Sequence, residues 1–271
     1  MSRSETMEHI ARILAEKTRD RFATIHIDAA GLIRLGETND ERLNNFERIL
    51  TTAESLGGNF AVPVFSYSYG KNEVFNILET PSTVGRVTEY LRKRRPHRRT
   101  VDPFFSFLLY GNVGMAHCLV RDYECFGDQS LFAELHQLDG YVCCIGNVFY
   151  NIPTEVHYFE RKLGVDYRFN KEFSGTLVDV DGHPHPQKAV YFCRKDPNSL
   201  EADFTRLERD LLANCLFEYW RAEEVEFEIQ AISMQRLFAF IQTKVAGNPH
   251  YLCSPVDAYL ENKKRRKLGI I

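Results

Sequence analysis

A histidine and a glutamate three residues apart carry the clearest chemistry in this chain. In the run TEVHYFE, residues 154 to 160, helical spacing places Thr154, His157 and Glu160 on one face. Pro153 suits the first turn of that helix, where its missing N–H loses nothing. A general base needs an imidazole of near-neutral pKa that a carboxylate holds in one tautomer. The spacing therefore predicts that His157 accepts a proton from a substrate while Glu160 orients its ring.

The same spacing is compatible with an ordinary histidine on an amphipathic helix, and the residues alone do not separate the two interpretations. His26, at the end of a predicted strand, is ambiguous in the same way. Two more histidines lie in HPHP, residues 183 to 186, for which a rigid turn is the favoured prediction and a substrate contact the lesser one.

Composition predicts one globular domain, residues 1–271. The chain has 271 residues, of which 44% are hydrophobic, so it can bury a sizeable core. No apolar run approaches the length of about 20 residues that a membrane span requires. The amino-terminal residues predict an amphipathic helix without the apolar core of a signal peptide. These features together predict a cytoplasmic protein that does not enter a membrane.

Cysteine usage and charge exclude two further classes. The seven cysteines are irregularly spaced, which favours reduced thiols, and no Cys/His cluster has the spacing of a zinc site, so no metal is predicted. A net charge of -3 argues against a nucleic-acid partner. Two basic clusters, residues 91–99 and 263–267, are predicted to be a solvated helix end and a tail, although the first lies between two motifs described below.

Strands alternate with helices along the chain. Strands are predicted around FATIHID (22–28), NFAVPVFSYSY (59–69), FFSFLLYG, YVCCIG and AVYFCR. Helices are predicted over residues 38–56, from Thr80 as N-cap with Pro81 at the first helical position, and over residues 200–220. This alternation predicts an α/β fold, a layered α/β/α domain with a central mixed sheet.

Sites in α/β proteins usually form where strands end. Three strand-to-helix junctions are candidates here, at residues 26–31, 80–85 and 150–160. At the second, the backbone N–H groups of residues 82 to 84 and the helix dipole would suit an anion, and Gly85 would let a ligand approach. An ordinary capped helix start explains the same residues equally simply.

Six segments in order resemble the aminoglycoside 3-N-acetyltransferase family. The family's His-Ser-Ser-Leu strand end corresponds to IHIDAAGL, its Pro-Thr-Phe strand to PVFSYSYG, and its TPS-x-x-G helix start to TPSTVG. RTVDPFFSF matches its Arg-Ser-x-His-Pro segment, GDQSLFAEL its GxxSLFAxL-type helix, and TEVHYFE its Thr-x-x-His-x-x-Glu helix. The resemblance covers most of the chain from about residue 22.

The resemblance implies an antibiotic N-acetyltransferase-like fold, not the GNAT fold, with acetyl-CoA or another acyl-CoA as donor and an amine as acceptor. His157 and Glu160 fall on the family's catalytic positions. The resemblance also implies two groups of binding residues. Cofactor-binding residues lie at the strand end and at the TPS helix start, and substrate-binding residues come from several segments. The first group is His26, Asp28, Ala29, Gly31, Thr80, Ser82 and Gly85; the second is Tyr67, Arg99, Asp102 and Thr154.

Departures from the family pattern bear on the acceptor. Ile27 and Asp28 replace the paired serines, and Asp102 replaces the histidine before Pro103. These replacements and the FSYSYGK run make the sequence similar to one branch of the family. That branch resembles nucleotide-linked amino-sugar N-acyltransferases of surface glycan synthesis. Arg92 to Arg99 favour an anionic ligand, since a pyrophosphate attracts arginine whereas a polycationic antibiotic attracts carboxylates. The alternative acceptor is an aminoglycoside, whose acetylation would confer antibiotic resistance.

Three mechanistic alternatives accompany this prediction. Direct attack by the amine, with His157 as base and backbone N–H groups or the Thr80 hydroxyl stabilising the oxyanion, is the leading one. A covalent route through a cysteine is disfavoured because the cysteines lie in apolar or helical contexts. A non-catalytic binding protein of the same fold would not need the His157 and Glu160 pair. The apolar content after residue 225 could serve a contact between subunits of a homo-oligomer.

Overall fold

A six-stranded mixed sheet forms the centre of the molecule, in a computed structural model that describes residues 3–146, 149, 153–223 and 226–267. The helices are α1 (Arg3–Thr18), α2 (Asn39–Ser55), α3 (Arg86–Arg94), α4 (Leu131–Gln137), α5 (Glu155–Leu163), α6 (Thr205–Ala213), α7 (Met234–Gly247) and α8 (Val256–Lys267). The strands are β1 (Ala23–Ile27), β2 (Phe60–Pro63), β3 (Phe75–Asn76), β4 (Phe107–Tyr110), β5 (Tyr123–Glu124), β6 (Tyr141–Ile145), β7 (Arg168–Val178), β8 (Pro184–Arg194), β9 (Leu200–Ala202), β10 (Glu218–Ala222), β11 (Phe227–Ser233) and β12 (Cys253–Pro255).

The order of strands in the central sheet is β10-β11-β6-β1-β2-β4. Its middle is parallel, since β1 pairs with both β2 and β6 in that sense, whereas β4, β11 and β10 pair antiparallel with their neighbours. The carboxyl ends of β1 and β6 therefore meet at one edge of the sheet. The chain between β6 and α5 leaves from this edge, which places the start of α5 where α/β sheets commonly bind ligands.

Side chains alternate between the two faces of this sheet, and each face has its own hydrophobic core. Ala23 and Ile25 of β1 face the core that contains buried residues of α1, α2 and α3. Val142 and Cys144 of β6 face the opposite core, with buried residues of α4, α5, α6 and α7. Helices thus cover both faces, and the predicted α/β/α fold with a central mixed sheet is confirmed.

A second sheet with strand order β3-β7-β8-β5 lies beside the core of α4 to α7, because its Leu177 and Ala189 belong to that core. Its centre is a long antiparallel hairpin in which Arg168 pairs with Arg194 and Val178 with Pro184. A small antiparallel pair, β12 and β9, completes the strands. The second sheet matters for function because β7 begins next to α5.

The prediction that HPHP forms a turn was wrong, because Pro184, His185 and Pro186 are the first residues of β8. Pro184 pairs with Val178 and Pro186 with Thr176, two residues apart along one strand. In an antiparallel pair, alternate positions point their N–H groups away from the partner strand, so two prolines at this spacing break no hydrogen bond.

The predicted long helix over residues 200–220 was also wrong. Residues 200–202 form β9, the helix α6 is limited to Thr205–Ala213, and β10 begins at Glu218. The Asp203 carboxylate accepts the backbone N–H of Thr205, which starts the helix, and Cys215 has a positive φ of 52° just after its end. The apolar spacing was correct only over about two turns.

None of the helices in the described part of the chain is both long and apolar enough to cross a membrane.

Candidate active site

Helix α5 carries the candidate base in its first turn. It runs from Glu155 to Leu163 and ends at Gly164, whose left-handed φ of 67° stops the helix. The N–H of His157 donates to the carbonyl of Thr154 at 2.9 Å, so Thr154 precedes the helix as its N-cap. The Thr154 side chain makes no capping hydrogen bond, which leaves the start of α5 to be fixed by other contacts.

The structure brings His157 and Glu160 into direct contact, one turn apart on α5. His157 Nδ1 lies 2.6 Å from Glu160 Oε2. Two further groups hold the same carboxylate: the Tyr167 hydroxyl donates to Oε1 at 2.7 Å, and Arg168 Nε lies 2.7 Å from Oε2. Glu160 is fully buried, whereas 16% of the His157 side chain is exposed. Glu160 therefore orients the His157 ring through Nδ1. The Nε2 atom of His157 is then the ring nitrogen that a substrate could reach.

The charges around His157 favour its neutral form. Burial and the positive charge of Arg168 lower the pKa of His157, against the opposite effect of Glu160. Although burial alone would raise it, His157, Arg168 and the Tyr167 hydroxyl hold the pKa of Glu160 below its usual range. A neutral imidazole hydrogen-bonded to an ionised carboxylate is the state in which a histidine can accept a proton.

Aromatic side chains surround the His157 ring. Its centroid lies 5.9 Å from that of Phe126 and 5.8 Å from that of Phe204. The ring centroid of Phe126 lies 4.8 Å from that of Phe105, with the two rings tilted. The centroid of Phe105 lies 6.3 Å from that of Tyr67. Tyr67 is 42% exposed, so this row of rings leads from the surface to the candidate base. Tyr67, predicted to contact substrate, is thus placed where such a contact is geometrically possible.

The structure also contains a cavity of about 960 Å³, and His157 is not among the residues that line it. Its floor is a row of facing residues on adjacent strands, in which Cys144 of β6 lies opposite Gln230 of β11 and Gln230 opposite Tyr219 of β10. Thr205, Glu208, Arg209 and Leu212 of α6 and Asn262 and Arg265 of α8 line it as well. Asp203 and Thr205 also line it, and they flank the Phe204 that contacts His157. The cavity is large enough for a substrate, and His157 is linked to its lining through Phe204.

The first predicted cofactor segment, at the end of β1, has mixed positions. Gly31 lines the cavity together with Gly146, and a side chain at Gly31 would lie 2.6 Å from the Gly146 nitrogen. Asp28 caps the short helix that follows β1 by accepting the Ala30 N–H at 2.9 Å, and Ala29 is exposed beside it. His26 is only 1% exposed and contacts Glu155, so the structure gives it a partner within the protein.

The prediction that a helix starts at Thr80, in the second predicted cofactor segment, was wrong. Helix α3 begins at Arg86, with Gly85 at its N-cap, because Thr80 closes the preceding turn instead: its hydroxyl accepts the Asn76 N–H at 2.8 Å. The Ser82 N–H donates to Glu89 at 2.7 Å. The Thr83 N–H donates to the Phe65 carbonyl at 2.9 Å. Two of the three N–H groups predicted to bind an anion thus have acceptors within the protein.

The predicted substrate contact Arg99 is 1% exposed. Its guanidinium donates to the carbonyls of Thr80 and Val64, at 2.5 and 2.9 Å, and to the Ser106 hydroxyl at 3.0 Å. Burial and the nearby Arg92 lower its pKa to about 9. Arg99 thus links the turn at Thr80 to the central sheet.

Asp102, predicted to contact substrate, is 2% exposed. Its carboxylate accepts the N–H groups of Phe104 and Phe105 at 2.9 and 3.0 Å. Burial raises the pKa of Asp102 to about 6. The structure therefore gives Asp102 a place in a tight turn, and its contact with substrate stays a prediction.

The expectation that Arg92 to Arg99 face an anionic ligand is not supported by their contacts. Arg92 pairs with Glu89 and Arg94 with Glu47, each at 2.7 Å. Arg95 and Arg98 both approach Glu54, at 2.6 and 3.6 Å. Two of these three acids come from α2, far away in sequence, so these four arginines have acidic partners within the fold.

Sequence analysis missed three residues of the site. Tyr167 and Arg168 hold Glu160, and Glu155 lies fully buried two residues before His157. A tyrosine and an arginine directly after the glycine-terminated helix were the available signal for the first two. Glu155 resembled the ordinary acid of a helix first turn, because negative side chains are common there.

The seven cysteines are unpaired. Burial raises the pKa of Cys125, Cys143 and Cys144 well above the usual value for a thiol. Because the thiolate is the reactive form, these contexts oppose a covalent cysteine route.

The fold is that of an α/β protein in which a buried carboxylate holds a partly exposed histidine on helix α5. The sequence profile of the aminoglycoside 3-N-acetyltransferase family matches residues 57–246. The chain therefore belongs to this family, whose enzymes are N-acyltransferases acting on amines. No curated protein sequence matches the chain.

Solved structures with the same fold are distant in sequence. Aminoglycoside acetyltransferase AAC(3)-IVa is 20% identical, with a TM-score of 0.65 over 94% of this chain and 92% of that one. AAC-IIIb, in a binary complex with CoASH, is 16% identical, with a TM-score of 0.66 over 90% and 96%. YokD from Bacillus subtilis is 14% identical, with a TM-score of 0.63 over 90% and 93%. At these identities the likeness establishes the fold.

Replacing Arg168 with Gln should raise the pKa of His157, because it removes the positive charge that opposes the imidazolium. An NMR titration of the His157 ring measures this shift without a substrate. Arg194→Gln is the matched control, since Arg194 lowers the same pKa as the smallest contribution, and it should give a smaller shift in the same direction. A pKa that stays constant or falls in Arg168→Gln would contradict this electrostatic description.

Arg99→Met should destabilise the protein by about 3–5 kcal/mol, since it leaves several buried carbonyls without a donor. Urea unfolding measures the change. Arg12→Ala, at a side chain that is 62% exposed, should change the free energy of unfolding by less than about 0.5 kcal/mol. Equal stability of both variants would show that Arg99 does not brace the turn at Thr80.

Proposed function

We propose that this protein transfers an acetyl or longer acyl group from an acyl-CoA to the amine of an amino sugar, with His157 as general base. The observation that carries the proposal is the His157 ring itself. It is held through Nδ1 by a buried carboxylate, and 16% of its side chain stays exposed. Binding of CoASH by AAC-IIIb, which has the same fold, supports an acyl-CoA donor.

In this mechanism the nitrogen of the acceptor amine attacks the thioester carbonyl. His157 Nε2 accepts the proton that the amine loses. A C–N bond forms, and the C–S bond breaks with its electron pair leaving on the coenzyme A sulfur. The proton then passes from His157 to this thiolate or to solvent. Glu160 stabilises the transient imidazolium and keeps the ring in one tautomer. The Thr80 hydroxyl accepts the Asn76 N–H, a contact that leaves its own proton available to the oxyanion.

The lining of the cavity supports a nucleotide-linked amino sugar over a polycationic antibiotic. Several of its carboxylates already have partners: Glu226 pairs with Arg34, and Glu228 with Arg221 at 2.6 Å. Asp203 accepts the Ser254 hydroxyl at 2.8 Å. These contacts reduce the negative charge available to a polycation.

Three arginines line the same cavity: Arg206, Arg265 and Arg209, the last of which pairs with Asp210 at 3.0 Å. Arginine is the side chain best suited to pairing with a phosphate, through two parallel hydrogen bonds. An acceptor with both an amine and a pyrophosphate therefore fits this mixed lining better than an aminoglycoside does.

His157→Ala should lower kcat by about a hundredfold or more and leave the affinity for acyl-CoA nearly unchanged, since the ring acts on the proton and not on the donor. Release of free thiol measures turnover, and calorimetry measures acyl-CoA binding. His97→Ala, at an exposed histidine in the short turn of helix after α3, is the control and should keep full activity. Normal turnover in His157→Ala would remove this histidine from the mechanism.

The acceptor class is tested by incubating the protein with acetyl-CoA and, separately, nucleotide-linked amino sugars and aminoglycosides. We expect thiol release with the nucleotide sugars, and a higher KM for them in Arg206→Gln because a phosphate contact is lost. Turnover with aminoglycosides alone would assign the protein to antibiotic acetylation. Binding of acyl-CoA without turnover of any amine would favour a non-catalytic role.

A further inference from the structure

A second fully buried carboxylate lies at the start of the helix that carries His157. Glu155, the first residue of α5, is 0% exposed. It accepts the Thr24 hydroxyl at 2.5 Å, and His26 Nε2 lies 3.0 and 2.9 Å from its two oxygens. Thr24 and His26 belong to β1, the strand at the middle of the central sheet. A charged contact thus joins the catalytic helix to this strand.

Such a contact is costly to build. A buried carboxylate loses several kcal/mol of hydration free energy unless charges and hydrogen bonds replace the water. Here burial would raise the pKa of Glu155, but His26 and the Thr24 hydroxyl hold it below its usual range. Apolar side chains of similar volume would fill this space without that desolvation cost. What they could not provide is the fixed direction of hydrogen bonds to two side chains.

Helix α5 is therefore fixed at two points, on either side of His157. Glu155 attaches its first turn to β1, and Glu160 attaches its second turn to Arg168 at the start of β7. These strands belong to different sheets.

The strand that holds Glu155 is also next to the cavity. His26 lies opposite Cys144 of β6, and Cys144 is part of the cavity floor. A shift of Glu155 relative to β1 would therefore move His157 relative to the floor on which a substrate would lie. The distance between a base and its substrate is decisive, because a displacement of about 1 Å can lower a rate by about a hundredfold.

We propose that Glu155, held by Thr24 and His26, is a positioning residue that sets the place of the His157 ring relative to the central sheet. This inference rests on His157 being the base of the proposed reaction. Glu155 acts through the position of α5, and neither Glu155 nor its two partners touches the reacting atoms.

Thr24→Val keeps the shape of the side chain and removes the hydroxyl that Glu155 accepts. We expect kcat to fall about tenfold with KM for both substrates changed less than about twofold, because binding is kept while the alignment of the base is lost. The NMR titration of His157 should not move, since no charge near its ring changes. Thr24→Ser, which restores the hydroxyl, should restore most of kcat.

The control is Thr18→Val, at another fully buried threonine, whose hydroxyl donates to the Leu14 carbonyl in α1. It should cost similar stability and leave kcat unchanged. A second pair of variants covers the case in which Thr24→Val does not fold. His26→Gln keeps an N–H donor toward Glu155 and should retain more activity than His26→Leu, each compared well below its melting temperature.

Two outcomes would overturn the inference: kcat equal to that of Thr18→Val in a folded Thr24→Val, or equal activity of His26→Gln and His26→Leu. Either would leave Glu155 as a purely structural residue. Normal turnover in His157→Ala is a different result, because it would refute the proposed function itself. An inactive His157→Ala beside a fully active Thr24→Val would refute only the positioning role.

Discussion

The rest of the site depends on the contacts made by the buried carboxylate of Glu160. It joins three groups from two structural elements: the His157 ring on α5, and Tyr167 and Arg168 at the start of β7. A carboxylate with no exposure is stable only when cations and donors replace its lost water. Meeting that requirement here also orients the imidazole, and it brings Arg168 close enough to add to the effect of burial, which lowers the pKa of His157. Folding and catalytic readiness thus share one set of contacts.

Local spacing could be predicted from sequence, and long-range partners could not. The His157 and Glu160 contact follows from three residues of helix, and the strands around Ile25 and Cys143 follow from short apolar runs. Arg94 and Arg95 looked free in the sequence because their partners, Glu47 and Glu54, are more than 40 residues away. Nothing local distinguishes an arginine that meets a ligand from one that meets another helix.

The turn at Thr80 shows a second limit. Thr80 and Pro81 have the residue types of a helix start, yet Thr80 accepts a hydrogen bond from the preceding segment, and Glu89 reaches back to Ser82. The helix begins only at Arg86, where Gly85 supplies a positive φ of 140°. A capping residue can serve the turn before it as well as the helix after it, and only the tertiary contacts of Asn76 and Arg99 decide between them.

The central claim is that an acceptor amine meets the Nε2 atom of His157 beside the thioester. A crystal structure of the protein with an unreactive thioether analogue of acyl-CoA and a nucleotide-linked amino sugar tests this claim most directly. The account predicts the amine nitrogen at hydrogen-bond distance from Nε2, about 2.6–3.2 Å, with Nδ1 still on Glu160. An acceptor bound away from His157, or a ring whose Nε2 faces a protein group in that complex, would contradict it.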